Sequence, residues 1–360
     1  MDGARRRGSQ SCSSVVSRVA DLTTLCQTDP ARRDPPGMDT LTAQLTLGEP
    51  QVVGPLAVFP VFGPPSVLEY RAFSVAIEHG AFVKELDQGA SVNRLLVGNP
   101  TDKALLLYEG EQVKGAQQDR AIDSNVLVAA GAQIEVSVSC VEQGRWDGRR
   151  HDEHFASAPH ADDPSLRRVK RESALRNAEQ GLAGRPAQGE VWQEVGSRLR
   201  HFGVDSESSK FGDLFEQRRG EIGALADDIE PVTDQVGALA CVGGAPIALD
   251  VVGRPDVFAA LHDRLVRGYS LDAISAGPAR GEIADPTVAG SFLARALTAS
   301  RRPVDTPGLG AARALVGPQV VGSSLTHEDE LVALCAFPSS TPGGVDVIGG
   351  VARPSRRRLR

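Results

Sequence analysis

The sequence predicts an α+β fold, with an antiparallel, β-rich N-terminal half and a helical and β-hairpin C-terminal half packed on it. Three observations carry that prediction. Between residues 39 and 146, short apolar pieces are separated by turn signals such as Asn99-Pro100 and Gly131-Ala132. From residue 165 onward, the apolar spacing turns helical. Apolar runs at 236–242 and 245–251 then flank Gly243-Gly244, which is a hairpin signal.

Leu41, Ala43, Leu45 and Leu47 alternate with other residues, the period of a half-buried strand. The stretch 66–79 predicts a helix, with Ser66 as its N-cap and Gly80 just past its end. Strands are expected at 81–86, 92–97, 104–108, 125–128 and 133–140. The last sets Ile134, Val136, Val138 and Cys140 on one face. Connections this short join antiparallel neighbours, because parallel strands need a crossover of about a dozen residues.

Residues 147–164 are charged and aperiodic, which predicts an exposed loop. His151, His154 and His160 stand there among Asp152, Glu153, Asp162 and Asp163. Metal ligands must be held in fixed directions, so a solvated acidic loop is preferred to a metal site. Helices follow at about 165–180, 190–201, 211–227, 256–268 and 286–299, with a closing strand at 330–337. Asp250 at a strand end and Asp272 after a helix have ordinary capping roles.

Residues 38–338 read as a single α+β domain, β-rich over 39–146 and helical with a hairpin over 165–338. Residues 1–37 are an Arg/Ser/Pro-rich extension expected to be disordered, and Met38, where patterned sequence begins, is the expected translation start. Residues 339–360 are an Arg-rich tail, also expected to be disordered. Setting aside 1–37 and 351–360 leaves 28 basic and 42 acidic residues. A body that acidic repels a phosphate backbone, so no nucleic-acid partner is expected.

No membrane span is expected: the charge-free stretch 51–68 contains Pro55, Pro60, Pro64 and Pro65. Residues 1–37 lack the pattern of a secretory signal. Five cysteines without a CxxC pair suit a reducing compartment, so the expected location is cytoplasmic.

Gly110 and Gly115 have phosphate-loop spacing, but Ala116-Gln117 replace the required Lys and Ser/Thr. There is no HExxH, no GxSxG, and no GxGxxG opening a helix after a strand, and no motif names a cofactor. The densest chemistry lies in two blocks. One holds Glu109, Gly110, Glu111 and the run from Lys114 to Arg120; the other runs from Cys140 to Trp146.

A carboxylate, a guanidinium and an indole together suit a planar anionic ligand. The ligand-binding candidates are therefore Arg120, Arg145, Trp146, Gln118 and Glu111. Glu142 is the catalytic candidate, provided burial raises its pKa. Cys140 is a nucleophile only if a neighbouring cation lowers its pKa; otherwise it continues an apolar strand face. Glu142 and Arg145 read equally well as a structural ion pair, and Trp146 as a lid over the core.

These two blocks resemble the ARG and rhodanese-phosphatase-superfamily-associated protein domain family. The likeness extends over most of 38–338, including the hairpin block and the helix reaching Tyr269 and Asp272. Lys and Asn are usual in that family where this chain has Gln117 and Asp119, so chemistry resting on that lysine is not expected. The family's name comes from association with ADP-ribosylglycohydrolases and with rhodanese- and phosphatase-like proteins. That implies a protein that binds or processes an ADP-ribose or NAD-related nucleotide. The alternative it implies is a non-catalytic partner for an associated enzyme of that metabolism.

Overall fold

The apolar runs at 56–62, 237–252 and 330–337 form the middle of one sheet because both of its faces are covered. In the computed structural model, which describes residues 44–339 except 88, 90, 146–152, 183 and 278–283, this sheet has nine strands. Its order is Thr46–Leu47, Leu56–Phe62, Gly237–Val242, Ala245–Val252, Glu330–Phe337, Val320–His327, Ala311–Gly317 and Ser300–Val304, with Gln51–Val53 also beside Leu56–Phe62. Every pair is antiparallel.

Strand alternation sends neighbouring residues to opposite layers. Leu239, Cys241, Leu249 and Val251 join Ala289, Phe292 and Ala296 of helix Pro286–Thr298. Ala238, Ala240, Ala248 and Val252 join Phe258, Leu261, Leu265 and Tyr269 of helix Pro255–Ala276. The facing alanines leave room for the larger helical side chains, which is how a chain poor in aromatics fills this layer.

Two smaller sheets complete the β structure. One has the order Val126–Val128, Ala104–Leu107, Tyr70–Ala72. The other runs Ala156–Ala161, Glu111–Lys114, Arg120–Ile122, Gln133–Cys140, Arg94–Gly98, Phe82–Lys84. A separate helical core gathers Val191, Val195, Leu199, Phe211, Leu214 and Leu166 around Ala121 and Val141.

The α+β class and most elements agree with the sequence reading, but several expectations need correction. The 66–79 helix is in fact a strand, Tyr70–Ala72, followed by short helical turns, Phe73–Ala76 and Ile77–His79. Tyr70 pairs in parallel with Ala104 and its hydroxyl donates to Val332 O at 3.2 Å, so tertiary pairing overrides local propensity. Gly80 does close the segment, at φ +94°.

The 211–227 helix breaks at Arg218, where ψ turns to 16°. The 256–268 helix continues to Ala276 through Gly268. A side chain at 268 would stand 3.0 Å from Asp162 O, so this glycine admits a strand end rather than stopping the helix. The C-terminal half also supplies strands Ser300–Val304, Ala311–Gly317 and Val320–His327, whose Ser, Gly, Ala and Arg content hides the pattern.

The described part of 147–164 is no exposed loop. Ala156–Ala161 pairs with Glu111–Lys114, and His160, Asp162 and Asp163 are buried. Leu41, Ala43, Met38, Trp146, His151 and Asp152 lie outside the described residues, as do the two termini.

Candidate functional site

The tight connection between strands Glu111–Lys114 and Arg120–Ile122 is where the two sequence blocks meet. Gly115 turns at φ +126°, and Ala116, fully buried, follows at φ 42°, a conformation a non-glycine residue adopts only when its surroundings impose it. Three groups impose it here. Arg145 Nη1 donates to Ala116 O at 2.9 Å, Gly115 N donates to Asp119 Oδ1 at 3.1 Å, and Asp119 N donates to Glu142 Oε2 at 3.0 Å.

Glu142 is the hub. It accepts Arg145 Nε at 3.0 Å and Nη2 at 2.9 Å, and Ser208 Oγ at 2.7 Å. Burial pushes its carboxyl up, but the bonds from Arg145, Ser208 and the Asp119 amide outweigh burial and hold it below the ordinary value. Asp119 differs. Burial is the larger influence there and lifts its pKa, despite Lys210 at 3.4 Å and Arg145 at 3.2 Å.

The structure brings five of the six candidates' neighbourhoods into view. Glu142, Arg145 and Gln118 converge, the last through Gln118 Nε2 donating to Gln143 O at 2.9 Å. Arg120 lies beneath with no exposure, its Nη1 donating to Gln118 O at 2.8 Å and its Nη2 3.7 Å from Glu85. Glu111 stands apart at the far end of its strand, accepting the Tyr108 amide at 2.8 Å, with its second oxygen buried and unbonded. Trp146 is not described. Cys140 is buried, its thiol donates to Val92 O at 3.0 Å, and burial pushes it up to about 11, so it remains a thiol at neutral pH.

Behind this site lies a charged cluster that the sequence reading missed. Asp250 and Asp272 do not end their own elements but are buried counter-ions within a strand and a helix. Asp272 also accepts Ser165 N at 3.1 Å in the first turn of helix Pro164–Glu179. Asp250 takes both Arg167 nitrogens, at 2.6 and 2.9 Å, and the hydroxyls of Tyr108 at 2.7 Å and Tyr269 at 2.6 Å. Lys170 lies 3.1 Å from both Asp123 and Asp162. Arg171 pairs with Glu109, which also accepts Ser323 Oγ and Cys335 Sγ, each at 3.0 Å. Arg198 joins Asp163 and Asp272.

A signal for this cluster was present. In helix Pro164–Glu179 the stripe a core would fill with apolar groups reads Leu166, Arg167, Lys170, Arg171, Ala174. Cations on a buried stripe require buried anions opposite.

Gly110, just before strand Glu111–Lys114, packs directly against the cluster. It sits at φ +87°, and a Cβ there would stand 2.7 Å from Arg167 Cδ. Gly110→Ala should therefore destabilise the protein by about 2 kcal/mol, from backbone strain and displacement of Arg167. Urea unfolding checks this; an unchanged midpoint would mean that Arg167 moves aside freely.

Among the described residues, no group of three or more His, Cys, Asp or Glu is arranged to hold a metal ion. Among them, too, no helix is long and apolar enough to cross a membrane. The class that emerges is an α+β protein with a buried ion-pair core beneath a tightly bonded polar turn. The chain belongs to the ARG and Rhodanese-Phosphatase-superfamily-associated Protein domain family, whose pattern it matches over residues 44–337. The family's name points to association with other enzymes. No curated protein and no solved structure matches the chain.

Proposed function

We propose that this protein binds a nucleotide of the ADP-ribose or NAD class at the 115–119 turn, with its phosphates on Arg145 and Lys210. The supporting observation is the polarity of the turn. The side chains of Arg145 and Lys210 are 27% and 23% exposed, whereas those of Asp119 and Glu142 are 2% and 1% exposed. Two cations thus face outward over buried carboxylates, and a guanidinium fork suits phosphate. Gln118 borders the same turn, and Arg120 supports it from below. Glu111, further along the strand, and Trp146 complete the set assigned to the ligand.

A phosphate that draws Arg145 outward takes from Glu142 the bonds that hold its pKa down. Burial then raises that carboxyl toward the range of a general acid or base, so any proton transfer falls to Glu142. The setting proposed is the cytoplasm, where the buried thiols of Cys140, Cys241 and Cys335 stay reduced.

Calorimetric titration with ADP-ribose tests the reading. Wild-type protein should bind, and Arg145→Lys, which keeps the charge but loses the fork, should bind about tenfold more weakly while staying folded at a somewhat lower melting temperature, because it also gives up bonds to Ala116 O and Glu142. Absence of binding to the wild type would end the proposal. The second reading, a non-catalytic partner of an associated enzyme, draws on the mutual neutralisation of Asp119, Glu142, Arg145 and Lys210, and predicts capture of such an enzyme with no response to ADP-ribose.

A further inference from the structure

An open groove of about 420 Å³ runs along helix Gln188–His201, lined by Gln143, Gly189, Trp192, Gln193, Val195, Gly196, Arg200 and Ser209. That volume is within the ~300–1,000 Å³ range of small-molecule sites. The groove exists because residues 189 and 196 have no side chains: a Cβ at 189 would meet nothing within 4 Å, and one at 196 only Arg200 Nη1, at 3.2 Å.

Its walls are fixed at both ends. Gln188 clasps the end of strand Gln133–Cys140, accepting Cys140 N at 2.9 Å and donating to Cys140 O at 2.8 Å. Arg198, on the other side of the helix, is held by Asp163 and Asp272. The opposite wall, Gln143 and Ser209, is linked to the polar turn: Ser208 O accepts Gln143 N at 3.0 Å and Gly144 N at 2.9 Å, while Ser208 Oγ bonds Glu142. Through Ser208 the groove wall is thus tied to Glu142, the carboxylate that Arg145 bonds.

We infer that this groove receives the planar base of the nucleotide, against the Trp192 indole, with Gln143 and Ser209 at the ring edge and Arg200 toward an anionic oxygen. Trp192 is partly buried and Arg200 exposed, and both line the groove, so an indole and a cation stand in it together. This assignment rests on the nucleotide reading of the adjoining turn and adds where specificity for the base resides.

The test compares ADP-ribose with inorganic pyrophosphate, which carries the diphosphate without a base, on wild type and Gly189→Leu. The new side chain enters open space on a helix, so the fold and its melting temperature should be preserved. Wild type should bind ADP-ribose at least tenfold tighter than pyrophosphate, and Gly189→Leu should erase that margin while leaving pyrophosphate affinity unchanged. A margin that survives the substitution, or no margin in wild type, overturns the groove assignment and leaves the phosphate site standing. Failure of both ligands to bind wild type overturns both.

Discussion

Asp250→Ala should destabilise the protein by about 3–5 kcal/mol, the largest effect expected of any single change here. The substitution leaves the Arg167 guanidinium, wholly buried between sheet and helix, without its counter-ion; it also removes the acceptor of the Tyr269 hydroxyl and the shorter of two for Tyr108, which keeps Leu334 O at 3.2 Å. The ring faces of Phe337, 4.8 Å from Arg167 Cζ, and Tyr108, at 5.6 Å, offset little of that loss. The penalty belongs to the orphaned charge rather than to the pair's net worth. Arg167→Met combined with Asp250→Leu should accordingly recover at least half of the lost stability. Chemical unfolding of the three proteins measures both quantities. A single-variant loss below 1 kcal/mol would show that water reaches Arg167 and the pair is not a sealed one.

Glu111→Gln should abolish a large part of the protein's pH-dependent stability. Burial pushes the Glu111 carboxyl from its ordinary 4.5 up to about 7, against the weaker opposing pulls of the Tyr108 amide and Arg264. The folded state therefore prefers the protonated acid. Its contribution is complete below the unfolded pKa and is lost as pH rises through 7, on the order of 3 kcal/mol in all. Glutamine mimics the neutral acid at every pH. The variant should match wild type near pH 4.5 and exceed it in melting temperature at pH 8. Asp272, raised to about 6 chiefly by burial, slopes the same way in both proteins, so the difference between them isolates Glu111. Parallel melting curves from pH 5 to 8 would contradict this assignment.

The architecture was legible where periodicity is simple. The hairpin at 237–252, the strand at 133–140 and the helices at 164–179, 188–201 and 286–298 all follow from apolar spacing and turn residues. Strands Glu111–Lys114 and Arg120–Ile122 were not legible, because their buried positions hold Glu111, Gln112 and Arg120, which sequence patterning assigns to solvent.

The same cause hid Asp250: an aspartate in a strand looks like a terminus until Arg167 is placed opposite it. The site was partly legible. The blocks at 110–120 and 140–145 do converge, and Glu142 with Arg145 forms their centre. Lys210, which reaches Asp119 at 3.4 Å, and the proposed groove residues Trp192 and Arg200 were not found, because their placement depends on tertiary packing. Nothing in local spacing links Ser208 to Glu142 across 66 residues.

The charged stripe of helix Pro164–Glu179 also bears on how the chain comes together during synthesis. When this helix leaves the ribosome, Glu109 and Asp123 have already been made, but the partner of Arg167 lies 83 residues ahead. At ~5–20 residues per second, roughly 4 to 17 seconds pass before Asp250 exists. Ser323 and Cys335, which complete the surroundings of Glu109, come later still. For that interval the guanidinium has to remain in water, so the helix cannot seat while the nascent chain is short. Seating this helix thus depends on groups from the second half of the sequence, Asp250 first among them.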